Sequence, residues 1–136
     1  MQPDKIEFME GGIRVIVEAR RSGGGDWGVT FRVFGDAGEK KVELLRFDCF
    51  KKNPHYHYDP AGKSETHNFD RNEIPNPLTW VMRQLGTRLP ALIEHAGYDD
   101  IAGVVDQTAI AEDLARLEPD IVQLHDRALR ELAVAG

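Results

Sequence analysis

Residues 13–35 read IRVIVEARRSGGGDWGVTFRVFG, and the architecture of the chain turns on the six residues in the middle. Both flanks are rich in β-branched and aromatic residues, which favours strands, and the second sets Trp27, Val29, Phe31 and Val33 in alternation with smaller or polar neighbours. One face of that strand is apolar. RSGGGD (21–26) lacks the G-x-G-x-x-G spacing and the following helix that a phosphate-cradling loop needs, so it reads as a hairpin loop. The two strands are therefore antiparallel.

Working outward, KIEFME (5–10) adds a strand before this pair, and KKVELLRFDCF (40–50) adds one after the turn GDAGE. Beyond residue 70 the periodicity changes. Asn76 and Pro77 form an N-cap and first-turn pair, and Leu78, Val81, Met82, Leu85, Leu89, Leu92, Ile93 and Ala96 follow at helical spacing up to Gly97. Pro90 inside this pattern predicts a kink or a division, since it removes a backbone donor and crowds the preceding turn. A second stripe, Ile110, Leu114, Leu117, Ile121, Leu124 and Ala128, predicts a helix over 107–133, with Pro119 able to mark a new helix start. The stripe either packs on the chain's own sheet and first helix or pairs with a second copy, and the expected assembly is a homodimer. Strands first and helices second imply an α+β fold: an antiparallel sheet of about four or five strands packed against C-terminal helices. One domain over 1–136 is expected, mostly β meander and hairpin over 1–70 and mostly helical over 76–134.

The net charge is −6, and residues 98–136 hold nine Asp or Glu against three Arg. The first 97 residues are thus balanced. An RNA-binding face there is compatible with the total, although no large basic patch supports it. The single cysteine, Cys49, excludes an internal disulfide and, with no charged-then-apolar leader, favours the cytoplasm. It reads as a small core residue. No apolar run reaches the ~20 residues that span a bilayer, so no membrane partner is expected.

The chemistry gathers at NPHYHYDPAGKSETHNFD (53–70), which holds three of the five histidines. Asp59-Pro60-Ala61-Gly62 has the residue preferences of a type I turn. A three-residue hairpin loop with Gly62 left-handed sets Asp59 opposite Lys63, and so His57 opposite Glu65 and His55 opposite His67. His55, His57, Glu65 and His67 then share one face, and Tyr56, Tyr58, Ser64 and Thr66 the other. Three readings follow: solvated strand histidines; a divalent metal such as zinc on His55, His57 and His67, with Glu65 as fourth ligand or base; or histidines acting as metal-independent acid and base. Arg46 and Asp48 lie on one face of the preceding strand, either as a surface ion pair or as an extension of this site in which Arg46 holds an anion and Asp48 orients a histidine. His95 and His125 are expected to cap or decorate their helix surfaces.

LLRFDCF followed by PHYHYDP resembles an uncharacterised family of small bacterial proteins with an arginine–aromatic–aspartate strand and a following H-x-H. More distantly, Arg46-Phe47-Asp48 with His55-Tyr56-His57 resembles TumE-type toxins of toxin–antitoxin pairs; the likeness covers residues 44–58 and implies action on RNA. Two functions are therefore carried forward. The first is a binding or regulatory module acting as a homodimer, with a protein partner. The second is a small hydrolase, ribonuclease-like, in which His55 and His67 serve as base and acid, Arg46 holds phosphate and Asp48 orients.

Overall fold

A computed structural model describes residues 4–134, so residues 1–3 and 135–136 of the expected domain lie outside the described residues. The strands are β1 (Lys5–Glu10), β2 (Ile13–Arg21), β3 (Trp27–Ala37), β4 (Lys40–Phe50), β5 (His55–Tyr58) and β6 (Glu65–Asn68). They form a single antiparallel sheet in the order β1-β2-β3-β4-β5-β6. The expected α+β class holds. The strand number is six rather than four or five, because the histidine hairpin continues the sheet. Three helices follow: α1 (Pro77–His95), α2 (Asp99–Ala102) and α3 (Gln107–Val134).

The alternation in the strands decides which face the helices cover. Val15, Val17, Val29, Phe31, Val33, Leu45 and Phe47 are almost wholly buried and join Leu85, Leu89, Ile93, Ile110, Ile121 and Leu124 in one core. The α3 stripe is thus used inside the chain. Ile110, Leu114, Ile121, Leu124 and Ala128 are buried and Leu117 partly so, which leaves a homodimer to use some other surface.

Pro90 and Pro119 both lie in helix interiors. At Pro90 the kink is real: Arg88 leaves helical geometry (φ −146°, ψ 35°). The Leu89 N–H donates to Gln107 Oε1 (2.6 Å), and Gln107 Nε2 donates to the Leu85 carbonyl (3.0 Å). A side-chain amide from α3 replaces the missing rung. Pro119 does not start a new helix, because α3 runs through it. Pro119 and Ala115 are exposed, so the Ala115 carbonyl that loses its helical donor can be hydrated.

The opposite face of the sheet is polar. It carries Glu7, Arg14, Glu18, Arg20, Thr30, Arg32, Glu43, Arg46, Asp48, His55 and His57, as the strand registers require. A bulge refines the pattern. Val33 pairs with Leu45 but Phe34 with Glu43, so Leu44 is the extra residue and Glu43 joins Arg46 on the polar face.

Candidate metal centre

The D-P-A-G turn forms as expected, with the Gly62 N–H donating to the Asp59 carbonyl (3.0 Å). The loop, however, does not close there. The Asp59 carboxylate accepts the Lys63 N–H (2.8 Å) and the Tyr98 hydroxyl (2.6 Å), and the left-handed residues are Asp59 and Ser64 rather than Gly62. Tyr58 consequently pairs with Glu65, His57 with Thr66, Tyr56 with His67 and His55 with Asn68. A one-residue change of register turns β6 over relative to β5. The expected convergence of His55, His57, His67 and Glu65 is corrected accordingly: His55 and His57 stay on the polar face, and His67 and Glu65 go to the helical one.

There His67 stacks on Tyr56 (centroids 5.2 Å apart), and Glu65 Oε2 bridges His67 Nε2 (2.6 Å) and His95 Nε2 of α1 (2.9 Å). His95 therefore ties the hairpin to α1. His125 is half-buried against the wall of a cavity of about 470 Å³ between the start of α1 and α3, rather than displayed on a helix surface.

On the polar face, register sets Thr30, Asp48 and His55 side by side on β3, β4 and β5, with Arg46 opposite His57 two pairs along. Asp48 is 3 % exposed. Its Oδ1 accepts from Thr30 Oγ1 (2.6 Å), and its Oδ2 lies 3.1 Å from His55 Nε2 and 3.6 Å from His57 Nε2. Among the described residues, Asp48, His55 and His57 are the group whose ligand atoms all lie within 4.8 Å of one another.

The outer nitrogen of each ring has a polar partner, and for His55 that partner fixes the tautomer. His55 Nδ1 is 2.9 Å from the Asn53 carbonyl oxygen, which can only accept, so Nδ1 carries a proton. His57 Nδ1 is 3.0 Å from Thr66 Oγ1, which also lies 3.2 Å from the Ser64 carbonyl oxygen. The hydroxyl can accept from His57 Nδ1 or donate to it, and in either case it holds the ring in place. Both Nε2 atoms face Asp48 Oδ2, and with its Nδ1 protonated His55 meets that anionic oxygen through a shared proton or a metal ion. A metal-ligating histidine characteristically gives its other N–H to a carbonyl or other polar partner in this way.

The electrostatics fit a proton at this centre when no metal is there. The hydrogen bond with Asp48 lifts His55 above the ordinary histidine value, against the effect of burial. Burial, and then the charge on His55, push His57 below it. Burial works to raise the Asp48 carboxyl, but hydrogen bonds from His55 and Thr30 outweigh it and hold Asp48 below its usual range.

Other parts of the site were not anticipated from sequence. Asp26, in the glycine-rich loop, accepts the Lys52 and Asn53 N–H groups (2.9 and 2.7 Å) and so fixes the carbonyl that orients His55. Arg46 is held by Glu43 through Nε (3.0 Å) and Nη2 (2.6 Å), a pair that the bulge creates. Arg20 approaches Asp48 instead, with Nη1 3.6 Å from Oδ1. Cys49 points into the core as expected, and burial raises its thiol far above the usual range.

These features define an α+β domain with one helix-covered sheet face and a histidine–carboxylate cluster on the other. The chain belongs to the family described as Domain of unknown function (DUF7700), which matches residues 7–121, in keeping with the likeness to an uncharacterised family and without a link to TumE-type toxins. No curated protein and no solved structure matches it. No helix among the described residues is long and apolar enough to cross a membrane.

Proposed function

We propose that the protein is a metal-dependent domain that binds a divalent ion such as zinc through Asp48, His55 and His57. The observation that carries this reading is the convergence of His55 Nε2, His57 Nε2 and an oxygen of the buried Asp48 within 4.8 Å of one another, with His55 held from behind by the Asn53 carbonyl and His57 by Thr66. Two imidazoles and a carboxylate are an ordinary ligand set for zinc or iron(II), and three protein ligands leave coordination positions for water and for a bound molecule. Open positions mark a site that acts on something, in contrast to the closed four-ligand sites that only hold a fold. The small-hydrolase alternative gains from this arrangement. It works through His55 and His57 rather than His55 and His67, and without Arg46 as its phosphate contact, since Glu43 engages that guanidinium. A cytoplasmic homodimer with a protein partner belongs to the same proposal on sequence grounds alone.

The test is titration with zinc by calorimetry and by melting temperature. The wild type is expected to bind one equivalent and to melt higher, by mass action on the folded state. His55→Ala, His57→Ala and Asp48→Asn are expected to lose both effects, while His67→Ala and His125→Ala keep them. Failure of the wild type to bind, or equal loss in the His67 variant, overturns the reading.

A further inference from the structure

Four arginines stand on the polar face of the sheet, and three are matched to carboxylates by hydrogen bonds. Arg14 is bonded to Glu7, Arg32 to Glu18 and Glu43, and Arg46 to Glu43. Arg20 is the exception. Its closest polar contact among the described residues is the 3.6 Å approach to Asp48 Oδ1, an ion pair too long to be a hydrogen bond. The guanidinium is nonetheless fixed in place, lying over the Phe50 ring at 5.6 Å, and Phe50 in turn meets His55 edge-on at 5.9 Å. Stacking holds the plane and leaves the donor edge available.

The backbone makes room for this. Arg20 pairs with Gly28, and Gly28 with Phe50, so the centre of that row has no side chain. Gly28 has φ +152°, and a Cβ there would collide with the Cys49 carbonyl oxygen. With no side chain between them, Arg20 reaches across the row to Phe50 and Asp48. The two oxygens of Asp48 then face different partners, Oδ2 the histidines and Oδ1 the Thr30 hydroxyl and, at longer range, Arg20.

We infer that Arg20 is the second anchor of an oxyanion bound at this centre, and that the ligand is of the phosphate-ester class. The inference rests on the metal reading above. With a divalent ion on two neutral histidines and Asp48, Arg20 brings the local charge to about +2, which selects an anion. A planar donor fork beside a metal with open positions suits a group that offers several oxygens at once, one for the ion and two for the guanidinium.

The experiment uses the full chain and two additions in sequence: zinc, then methylphosphonate as a phosphate-monoester mimic, with acetate in a parallel arm. Arg20→Ala and Arg20→Lys are expected to bind zinc within about threefold of wild type, as Arg20 is not a ligand. Both are expected to bind methylphosphonate about tenfold or more weakly, because lysine restores the charge but not the fork. Arg46→Ala should bind it like the wild type, and acetate should bind more weakly than methylphosphonate throughout. Circular dichroism confirms that each variant is folded; should Arg20→Ala not fold, Arg20→Lys decides. Absence of zinc binding in the wild type overturns the metal reading and this inference together. Zinc binding with methylphosphonate affinity that both Arg20 variants retain, or with acetate preferred, overturns this inference alone.

Discussion

Gln107, at the start of α3, accepts the backbone N–H of Leu89 at 2.6 Å, inside the hydrogen-bond ladder of another helix. Its amide nitrogen reaches the Leu85 carbonyl at 3.0 Å, so one side chain satisfies both ends of the rung that the Pro90 kink opens. Gln107→Ala should leave both groups without partners and lower stability by about 1–3 kcal/mol. Gln107→Glu keeps the acceptor and loses the donor, and should fall between. Urea denaturation of the three proteins measures this; an alanine variant as stable as wild type would falsify the bridging role.

Thr30 is fully buried, and its hydroxyl supports the carboxylate at the centre of the proposed site. Thr30→Val keeps the shape and deletes the donor. It should cost about 1–3 kcal/mol in stability and weaken zinc binding about 10–100-fold, the range typical of groups that orient a ligand from behind. Unchanged zinc affinity in a folded valine variant would show that Thr30 has no part in the metal centre.

Asp59 connects the hairpin turn to Tyr98, which precedes α2. Removing its carboxylate releases the Lys63 N–H and the Tyr98 hydroxyl at once. Asp59→Ala should therefore speed amide hydrogen exchange at Lys63 and Ser64, and Tyr98→Phe should do so to a lesser degree. Identical exchange in Asp59→Ala and wild type would remove the carboxylate as the determinant of register.

His125 gives a pH dependence with a definite sign. Burial pushes its titration below the ordinary value of 6.5, and its Nδ1 has no hydrogen-bond partner among the described residues. Between its unfolded and folded values the unfolded chain binds the extra proton, so this contribution to stability is complete above about pH 6.5 and declines as the pH falls toward the folded value. His125→Gln should lose less stability than wild type between pH 7.5 and 5.5, read from urea midpoints at each pH. Parallel losses would mean that His125 titrates as it does in the unfolded chain.

What could be read from the sequence was whatever local periodicity determines. Val29, Phe31 and Val33 declare a face by alternation, Asn76-Pro77 declares a helix start, and Pro90 declares a kink, because each signal lies within a few residues of its effect. The register of the histidine hairpin is of another kind. It depends on a carboxylate whose partner, Tyr98, lies 39 residues further along the chain, so the turn was legible and its extra residue was not. The bulge at Leu44 is hidden because both Leu44 and Leu45 are buried, as consecutive leucines in a regular strand would not be. That bulge then decided the partner of Arg46. His55, His57 and Asp48 were legible as candidates from composition and spacing; Arg20 was not, as its place beside Asp48 follows from an absent side chain at Gly28 on the neighbouring strand.

The order β1-β2-β3-β4-β5-β6 also bears on synthesis. Each strand pairs with the one made just before it, so the sheet can assemble in the order of translation, without waiting for a distant segment. Its apolar face cannot be finished in that way. Val15, Val29, Phe31 and Phe47 are covered by helices that begin only at residue 77. At about 5–20 residues per second, the ribosome needs about three to twelve seconds more to deliver residues 77–134. During that interval the nascent sheet shows a broad apolar surface and two open edges, the condition in which strands join neighbouring chains. Slow codons after residue 70 would prolong the exposure, and the yield of soluble protein should be sensitive to translation rate in the helical half of the message.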